Sequence, residues 1–311
     1  MIHEKMVNFV KRWEGTFTIL MTAFTKDGGL DENAMRSSVD FVIGGGVHGV
    51  VPLGSFGENP YLTQDEKKRV IDIVVDQVNG RVPVVAGTGE VSTDKTIALS
   101  NYALNAGADA AMICLPLYWR LREEDILSHY TSVSSAVDLP IFLYNIPSTT
   151  HLELTSEIVV NLSEFDNIVG IKESINDLEQ IGTVIETAKK PFSVFVGMSR
   201  LLLDVLKLGG AGCFDPVSNT FPEVIAGIYS AFKAGDLKKA EKLQKSLSEY
   251  SSITRPGGDA FIASRKEVMK LMGMPIESIV KSPIPKLNAE QRKKIRENVE
   301  KAGLLNATLD R

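Results

Sequence analysis

The feature that most constrains this chain is an alternation. Short apolar runs begin near residues 17, 47, 82, 110, 140, 168, 193 and 212, and helix-like segments fill the intervals. The intervals leave no room for hairpins, so consecutive strands are joined by helical crossovers and lie parallel. Eight βα units in about 210 residues predict a closed (β/α)8 TIM barrel. The rival architecture, an open doubly wound sheet, usually carries a Gly-rich phosphate turn after its first strand. Here that place is taken by Thr22-Ala23-Phe24-Thr25-Lys26.

Local signals set the expected limits. The first strand is read as Phe17 to Ala23, the second as Val47 to Leu53 and the third as Val82 to Ala86. The sixth, Ile168-Val169-Gly170-Ile171, runs into Lys172. Thr63 with Glu66 three residues on has the pattern of a capping box, and Gly44-Gly45-Gly46 stops the helix before the second strand. From Pro222 the chain turns helical and polar, with helices expected to Phe232 and over Leu237–Tyr250, Asp259–Met272 and Asn288–Ala302. The expected organisation is an N-terminal helix within residues 1–15, a catalytic barrel over 16–235 and a helical extension over 236–311.

Composition narrows the function. The net charge is −5 without a basic block, which speaks against nucleic acid. No apolar run reaches the ~18 residues of a membrane helix. Met1 to Trp13 carries Glu4, Lys5, Lys11 and Arg12 among apolar residues, so it reads as a short amphipathic helix and not as a signal peptide. Cys114 and Cys213 sit in apolar surroundings, as buried reduced thiols of a cytoplasmic protein do. The four histidines are scattered, and no metal-ligand spacing, P-loop or dinucleotide fingerprint is present. No metal and no cofactor are expected.

In such a barrel the active site lies at the C-terminal ends of the strands. Two of those ends are chemically pointed. Lys172 closes the sixth strand, and lysine is among the side chains least often buried. It is either snorkelling to water or working as an amine. Tyr144 closes the fifth strand, 28 residues earlier, one βα unit away. Adjacent strands lie about 5 Å apart, so the two side chains can share a hydrogen bond or a water bridge. Burial strips hydration from an ammonium and favours the neutral amine, which attacks a ketone to form an imine. A tyrosine beside it can move the protons. The plain alternative is a satisfied core tyrosine next to a snorkelling lysine. Side chains alternate along a strand, so Ser174 shares the Lys172 side while Glu173 and Asn145 face away from the barrel axis. The turn Gly54-Ser55-Phe56-Gly57-Glu58 offers backbone N–H groups and a hydroxyl to an anion, or is simply a tight turn. Glu58 and Asp215 are strand-end carboxylates without evident partners for glycoside hydrolysis.

Taken together, Leu53-Gly54-Ser55-Phe56-Gly57-Glu58, Tyr144-Asn145-Ile146-Pro147 and Gly170-Ile171-Lys172-Glu173-Ser174 resemble the dihydrodipicolinate synthase/N-acetylneuraminate lyase family of class I pyruvate aldolases. The resemblance covers about residues 15 to 300. It implies a (β/α)8 barrel with a C-terminal helical extension, usually a homotetramer. It implies that Lys172 forms the Schiff base with pyruvate or another 2-oxo acid, without a separate cofactor, and that Tyr144 is the proton shuttle. The Ser55–Phe56 turn would hold the carboxylate through Gly54, Ser55 and the Phe56 N–H, with Ser174, Gly197 and Phe214 lining the substrate site. Tyr118 matches the tyrosine that reaches into a neighbouring subunit's proton relay.

The departures bear on the substrate. Dihydrodipicolinate synthases carry an arginine where this chain has Thr149, two threonines where it has Ser55 and Phe56, and two adjacent tyrosines where it has Leu117 and Tyr118. The following Trp119-Arg120 resembles the branch that cleaves 2-keto-3-deoxy sugar acids such as 2-keto-3-deoxygluconate. Met198-Ser199-Arg200 lacks the acidic residues with which sialic acid lyases bind hydroxyls. Phe56 and Phe214 would narrow the pocket. The expected activity is therefore Schiff-base cleavage of a 2-keto-3-deoxy sugar acid into pyruvate and an aldehyde. Dihydrodipicolinate synthesis is the alternative, as is a dehydratase or aromatic aldolase using the same imine. Outside enzymes, the rival is a barrel that senses a 2-oxo acid without turning it over.

Overall fold

Residues 13–308 are described in the computed structural model. The helix expected at the N-terminus lies outside the described residues, apart from Trp13.

Eight parallel strands form the barrel: β1 (Gly15–Ile19), β2 (Gly49–Val51), β3 (Val85–Gly87), β4 (Ala110–Cys114), β5 (Ile141–Asn145), β6 (Ile168–Glu173), β7 (Ser193–Val196) and β8 (Gly212–Asp215). The ladder runs β2-β1-β8-β7-β6-β5-β4-β3. It closes between β2 and β3 through the parallel Val50–Val84 bridge and through the Gly87 N–H, which donates to the Pro52 carbonyl at 2.9 Å. The fold is the (β/α)8 TIM barrel that the alternation implies. Strands covered on both faces are apolar throughout, and β5 and β6 are buried along their whole length.

The crossover helices are α1 (Glu32–Gly44), α2 (Gln64–Val78), α3 (Thr93–Ala106), α4 (Glu123–Ala136), the single turn α5 (Pro147–Thr150), α6 (Ser156–Leu162), α7 (Leu178–Thr187), α8 (Leu202–Lys207) and α9 (Pro222–Lys233). The extension contributes α10 (Leu237–Thr254), α11 (Phe261–Leu271) and α12 (Ala289–Lys301). Their starts follow side-chain chemistry. Thr63 and Glu66 form the reciprocal capping box of α2, Asn288 and Gln291 form that of α12, and Ser92 caps α3. Among the described residues no helix is long and apolar enough to cross a membrane.

The strand limits differ from the sequence reading: β2 is Gly49–Val51 within the expected Val47–Leu53, and β3 is Val85–Gly87 against the expected Val82–Ala86. The first strand is Gly15–Ile19 and not Phe17–Ala23. Its last rung is Leu20 N–H to Val51 O at 3.0 Å, after which Thr22 leaves the ladder and its hydroxyl donates to Gly57 O at 2.7 Å. The apolar run continues because the segment stays buried under the rim, not because it stays paired. The turn α5 went unread because Pro147 opens it and it spans four residues.

The barrel interior is aromatic. Phe214 stacks on Phe195 with ring centroids 4.4 Å apart, and Phe17 and Phe142 pack against Phe214 at 4.9 and 5.3 Å. Gly49 makes room for this cluster: a Cβ there would lie 2.2 Å from the Phe17 ring. Trp13 packs edge-on against Phe142 at the N-terminal mouth, at 5.4 Å.

The extension is tied to the rim by one buried ion pair. Lys266 of α11 and Glu58, just after the β2 turn, are both wholly buried. The Lys266 ammonium donates to Glu58 Oε1 and to the Ile279 carbonyl, while Glu58 Oε2 accepts from the Lys281 N–H at 2.8 Å. Burial pushes the Lys266 pKa down and Glu58 opposes it. Removing one partner strands a buried charge, at a cost of roughly 3–5 kcal/mol. Lys266→Met should lower the unfolding free energy by about that amount in urea denaturation followed by circular dichroism. The double change Glu58→Gln/Lys266→Met should recover part of the loss.

Candidate active site

The β5–β6 register builds the centre of the site. Tyr144 lies opposite Lys172, and Asn145 opposite Glu173. Lys172 is 3% exposed, and its Nζ lies over the Tyr144 ring, 3.8 Å from the centroid. An ammonium in that place is attracted by the ring face, and a neutral amine there lies beside the phenol that can exchange its proton. The Tyr144 hydroxyl lies 3.3 Å from Ser55 Oγ. Amine, phenol and serine hydroxyl, drawn from β6, β5 and the turn after β2, are thus brought to one place.

That turn is held under strain. Ser55–Gly57 form a 3-10 turn whose first N–H groups have no partner within it. Leu53 and Glu58 on either side adopt left-handed φ values of 61° and 60°, which cost non-glycine residues on the order of 1–3 kcal/mol each. Neighbours impose the geometry. Asn59 Nδ2 donates to the carbonyls of Leu53 (3.0 Å) and Gly87 (3.1 Å), Thr22 holds Gly57 O, and Lys266 holds Glu58. The result is a fixed turn whose Ser55 hydroxyl lies beside Tyr144.

Gly197, at the end of β7, is the third contributor. A Cβ there would lie 2.0 Å from Ser174 Oγ and 2.9 Å from Lys172 Cε. Ser174 therefore turns back toward Lys172, as strand alternation requires, while Glu173 turns away and is fully buried. A pocket opens from Ser55 and Tyr144 toward Thr149 and Thr150 on one side and the Lys67–Glu90 pair on the other. That pair is itself buried, with 4% and 6% of its side chains exposed. Cys114 also lines the pocket, and burial pushes its thiol pKa up to about 11. It is only half-buried, whereas Cys213 is enclosed.

The remaining sequence candidates stand elsewhere. Phe214 is fully enclosed in the aromatic stack below the site. The half-buried Phe56 packs its ring against Phe261 of α11, at 5.4 Å. Tyr118 is 91% exposed, with φ 97°, and stacks edge-on with Trp119, so this chain does not bring it to its own Tyr144. The Asp215 carboxylate is a cap, accepting from the N–H groups of Ser199 (3.2 Å), Val217 (2.6 Å) and Ser218 (3.2 Å). Burial raises its pKa, and those bonds oppose the rise. Among the described residues no group of three or more His, Cys, Asp or Glu side chains could hold a metal ion.

Two supports escaped the sequence reading. Lys266 shares a helical face with the buried Ile262, Ala263 and Met269, and a lysine in such a stripe was a readable signal for a buried acidic partner. Asn59 carried no signal, since nothing local distinguishes a turn-bracing asparagine from a solvated one.

Comparison with known proteins agrees with this geometry. Residues 12–302 match the dihydrodipicolinate synthetase family. The chain belongs to that family, whose members are lyases. It is 36% identical over 294 residues to a 4-hydroxy-tetrahydrodipicolinate synthase of Methanopyrus kandleri, covering 94% of this chain and 97% of that protein. It is 34% identical over 300 residues to YjhH, a probable 2-dehydro-3-deoxy-D-pentonate aldolase of Escherichia coli K12, covering 95% and 99%. The crystal structure of YagE, a prophage protein of the same family from E. coli K12 in complex with pyruvate, superposes with a TM-score of 0.90 at 31% identity, covering 94% of this chain and all of that one.

Gly197→Ala should force Ser174 and Lys172 apart. A displacement near 1 Å costs about 100-fold in rate, so kcat/KM should fall by about that factor while the melting temperature moves little. Adding Ser174→Ala, which removes the nearest clash, should restore part of the rate in a steady-state assay.

Proposed function

We propose that the protein is a Schiff-base lyase that makes or breaks a carbon–carbon bond next to pyruvate. One observation carries the reading: the enclosed Lys172 amine lies over the Tyr144 ring, and the Tyr144 hydroxyl lies beside Ser55. Lys172 Nζ attacks the C2 ketone of the 2-oxo acid. The carbinolamine loses water, its proton supplied through Tyr144, and an iminium forms. The iminium draws electrons from C3, so loss of a C3 proton, or cleavage of the C3–C4 bond, leaves an enamine. In the synthetic direction the enamine adds to an aldehyde, and hydrolysis of the new iminium frees the lysine. The substrate carboxylate rests on the Ser55–Phe56 turn, with Gly54 shaping it. Ser174 and Gly197 flank the imine, and Phe214 lies beneath it. No cofactor is required. Tyr118 acts in a neighbouring subunit of a homotetramer, a reading supported by its exposure on its own chain.

The substrate we favour is a 2-keto-3-deoxy sugar acid. Thr149, which lines the pocket, offers a hydroxyl and no cation, so it suits an uncharged hydroxyaldehyde better than one bearing a carboxylate. Dihydrodipicolinate synthesis is the second reading, supported by the similarity to the M. kandleri synthase.

Incubation with pyruvate and borohydride should add one reduced pyruvyl group to the peptide holding Lys172, and Lys172→Ala should take up none. Absence of the adduct in the unaltered protein would overturn the imine mechanism. Pyruvate release from 2-keto-3-deoxygluconate should exceed consumption of aspartate semialdehyde; the reverse order would favour the synthase reading.

A further inference from the structure

Directly behind the amine and the phenol lies a second pair that the imine chemistry does not use. Glu173 follows Lys172 on β6 and Asn145 follows Tyr144 on β5, and the two are opposite each other in the ladder. Both are wholly buried on the outer face of the barrel. Asn145 Nδ2 donates to Glu173 Oε2 at 2.8 Å. The same amide clasps the segment that leads into α6: it donates to Leu154 O at 3.3 Å, and its Oδ1 accepts the Leu154 N–H at 3.1 Å. The backbones are joined as well, since the Ser174 N–H donates to Asn145 O at 2.9 Å. Glu173 Oε1, by contrast, is buried with no partner among the described residues.

We propose that the Asn145–Glu173 hydrogen bond is the positioning device that holds Lys172 and Tyr144 in reacting register. The inference rests on the imine reading of Lys172. Its physical basis is leverage along two strands. A side chain on one face of a strand cannot shift its backbone without moving the neighbour that points to the other face. The bond therefore sets the separation of the β5 and β6 ends, and with it the 3.8 Å placement of the amine over the ring. Through Leu154 it also anchors the end of the loop that carries Thr149 and Thr150 along the pocket.

The protonation state of Glu173 is part of the device. Burial raises its pKa to about 8, the Asn145 bond opposes the rise, and the acidic groups bearing on it, Glu153 before α6 and Asp177 at the N-cap of α7, raise it further. No basic side chain is among the groups that shift it. Below that value the group is a neutral acid that fits a dry site. Above it, a carboxylate with one bare oxygen must draw in water or move, and the strand end moves with it. The sign follows: a function that needs the neutral form is intact below about pH 8 and lost as pH rises through it.

The readout is enamine formation from pyruvate alone, followed by NMR as exchange of the pyruvate methyl protons in D2O, so the aldehyde partner need not be known. In the unaltered protein, exchange should fall as pH climbs past about 8. Glu173→Gln, an uncharged mimic of the acid, should keep exchange at pH 7 within a few-fold and abolish the alkaline fall. Glu173→Ala should lose exchange by about 100-fold at every pH. Asn145→Ala, tested with it, should lower exchange and, by removing the bond that opposes the rise, move the alkaline fall to higher pH. If Glu173→Gln retains the alkaline fall, or Glu173→Ala exchanges as fast as the unaltered protein, the positioning role is overturned while the imine reading stands. If the unaltered protein neither exchanges pyruvate protons nor is trapped by borohydride, the imine reading fails first.

Discussion

The parallel ladder between β5 and β6 is the constraint from which the site follows. In a parallel pair the residues reach the same rim of the sheet, so a tyrosine and a lysine that close neighbouring strands must meet there. Closure of the barrel then brings the turn after β2 across from them, and Ser55 reaches the Tyr144 hydroxyl. Three groups separated by up to 117 positions in sequence share one small volume because eight parallel strands end on one rim. The aromatic stack beneath them supplies a buried apolar floor.

A second theme is the cost of buried polarity and the way each instance is offset. Glu58 and Lys266 are wholly enclosed and satisfy one another, with backbone groups of Ile279 and Lys281 taking the remaining bonds. Leu53 and Glu58 hold left-handed backbone that neither would adopt freely, and Asn59, Thr22 and Lys266 are the groups that compel it. The helical extension is therefore not an ornament on the barrel. Its α11 helix carries the lysine that secures the turn after β2, and its Phe261 ring packs on Phe56 within that turn. Glu173 is offset only in part: its Oε1 is one of six buried side-chain polar atoms without a hydrogen-bond partner among the described residues, and it stands immediately behind the amine.

Much of the architecture was legible in the chain. Apolar runs too short for helices, separated by helix-length segments, admit few arrangements other than βα units, and the caps at Thr63 and Ser92 fall where their side chains predict. The limits of strands were less legible: Leu20 to Ala23 are as apolar as β1 itself, and burial without pairing has the same composition as burial with it. Within the site, Lys172, Tyr144 and the Ser55 turn could be picked out because a lysine or tyrosine ending an apolar strand is a local anomaly. Lys266 signalled a buried acidic partner but not which one, since Glu58 is 208 positions away, and Asn59 gave no sign that it would join Leu53 to Gly87, 28 positions on.

By itself, then, the sequence determined the succession of strands and helices, the parallel sense of the sheet, the rim on which the polar residues emerge and which face each strand residue takes. These depend on periodicity and on short-range sterics, both of which are written in neighbouring residues. Only the tertiary structure decided that the Lys172 amine lies on the Tyr144 ring, that Gly197 leaves the space it occupies, that Tyr118 points away from its own site, and that the outward-facing Glu173 is wholly buried and bonded to Asn145. Those outcomes depend on how strands distant in the chain are brought side by side, and on which polar atoms are left dry once they are.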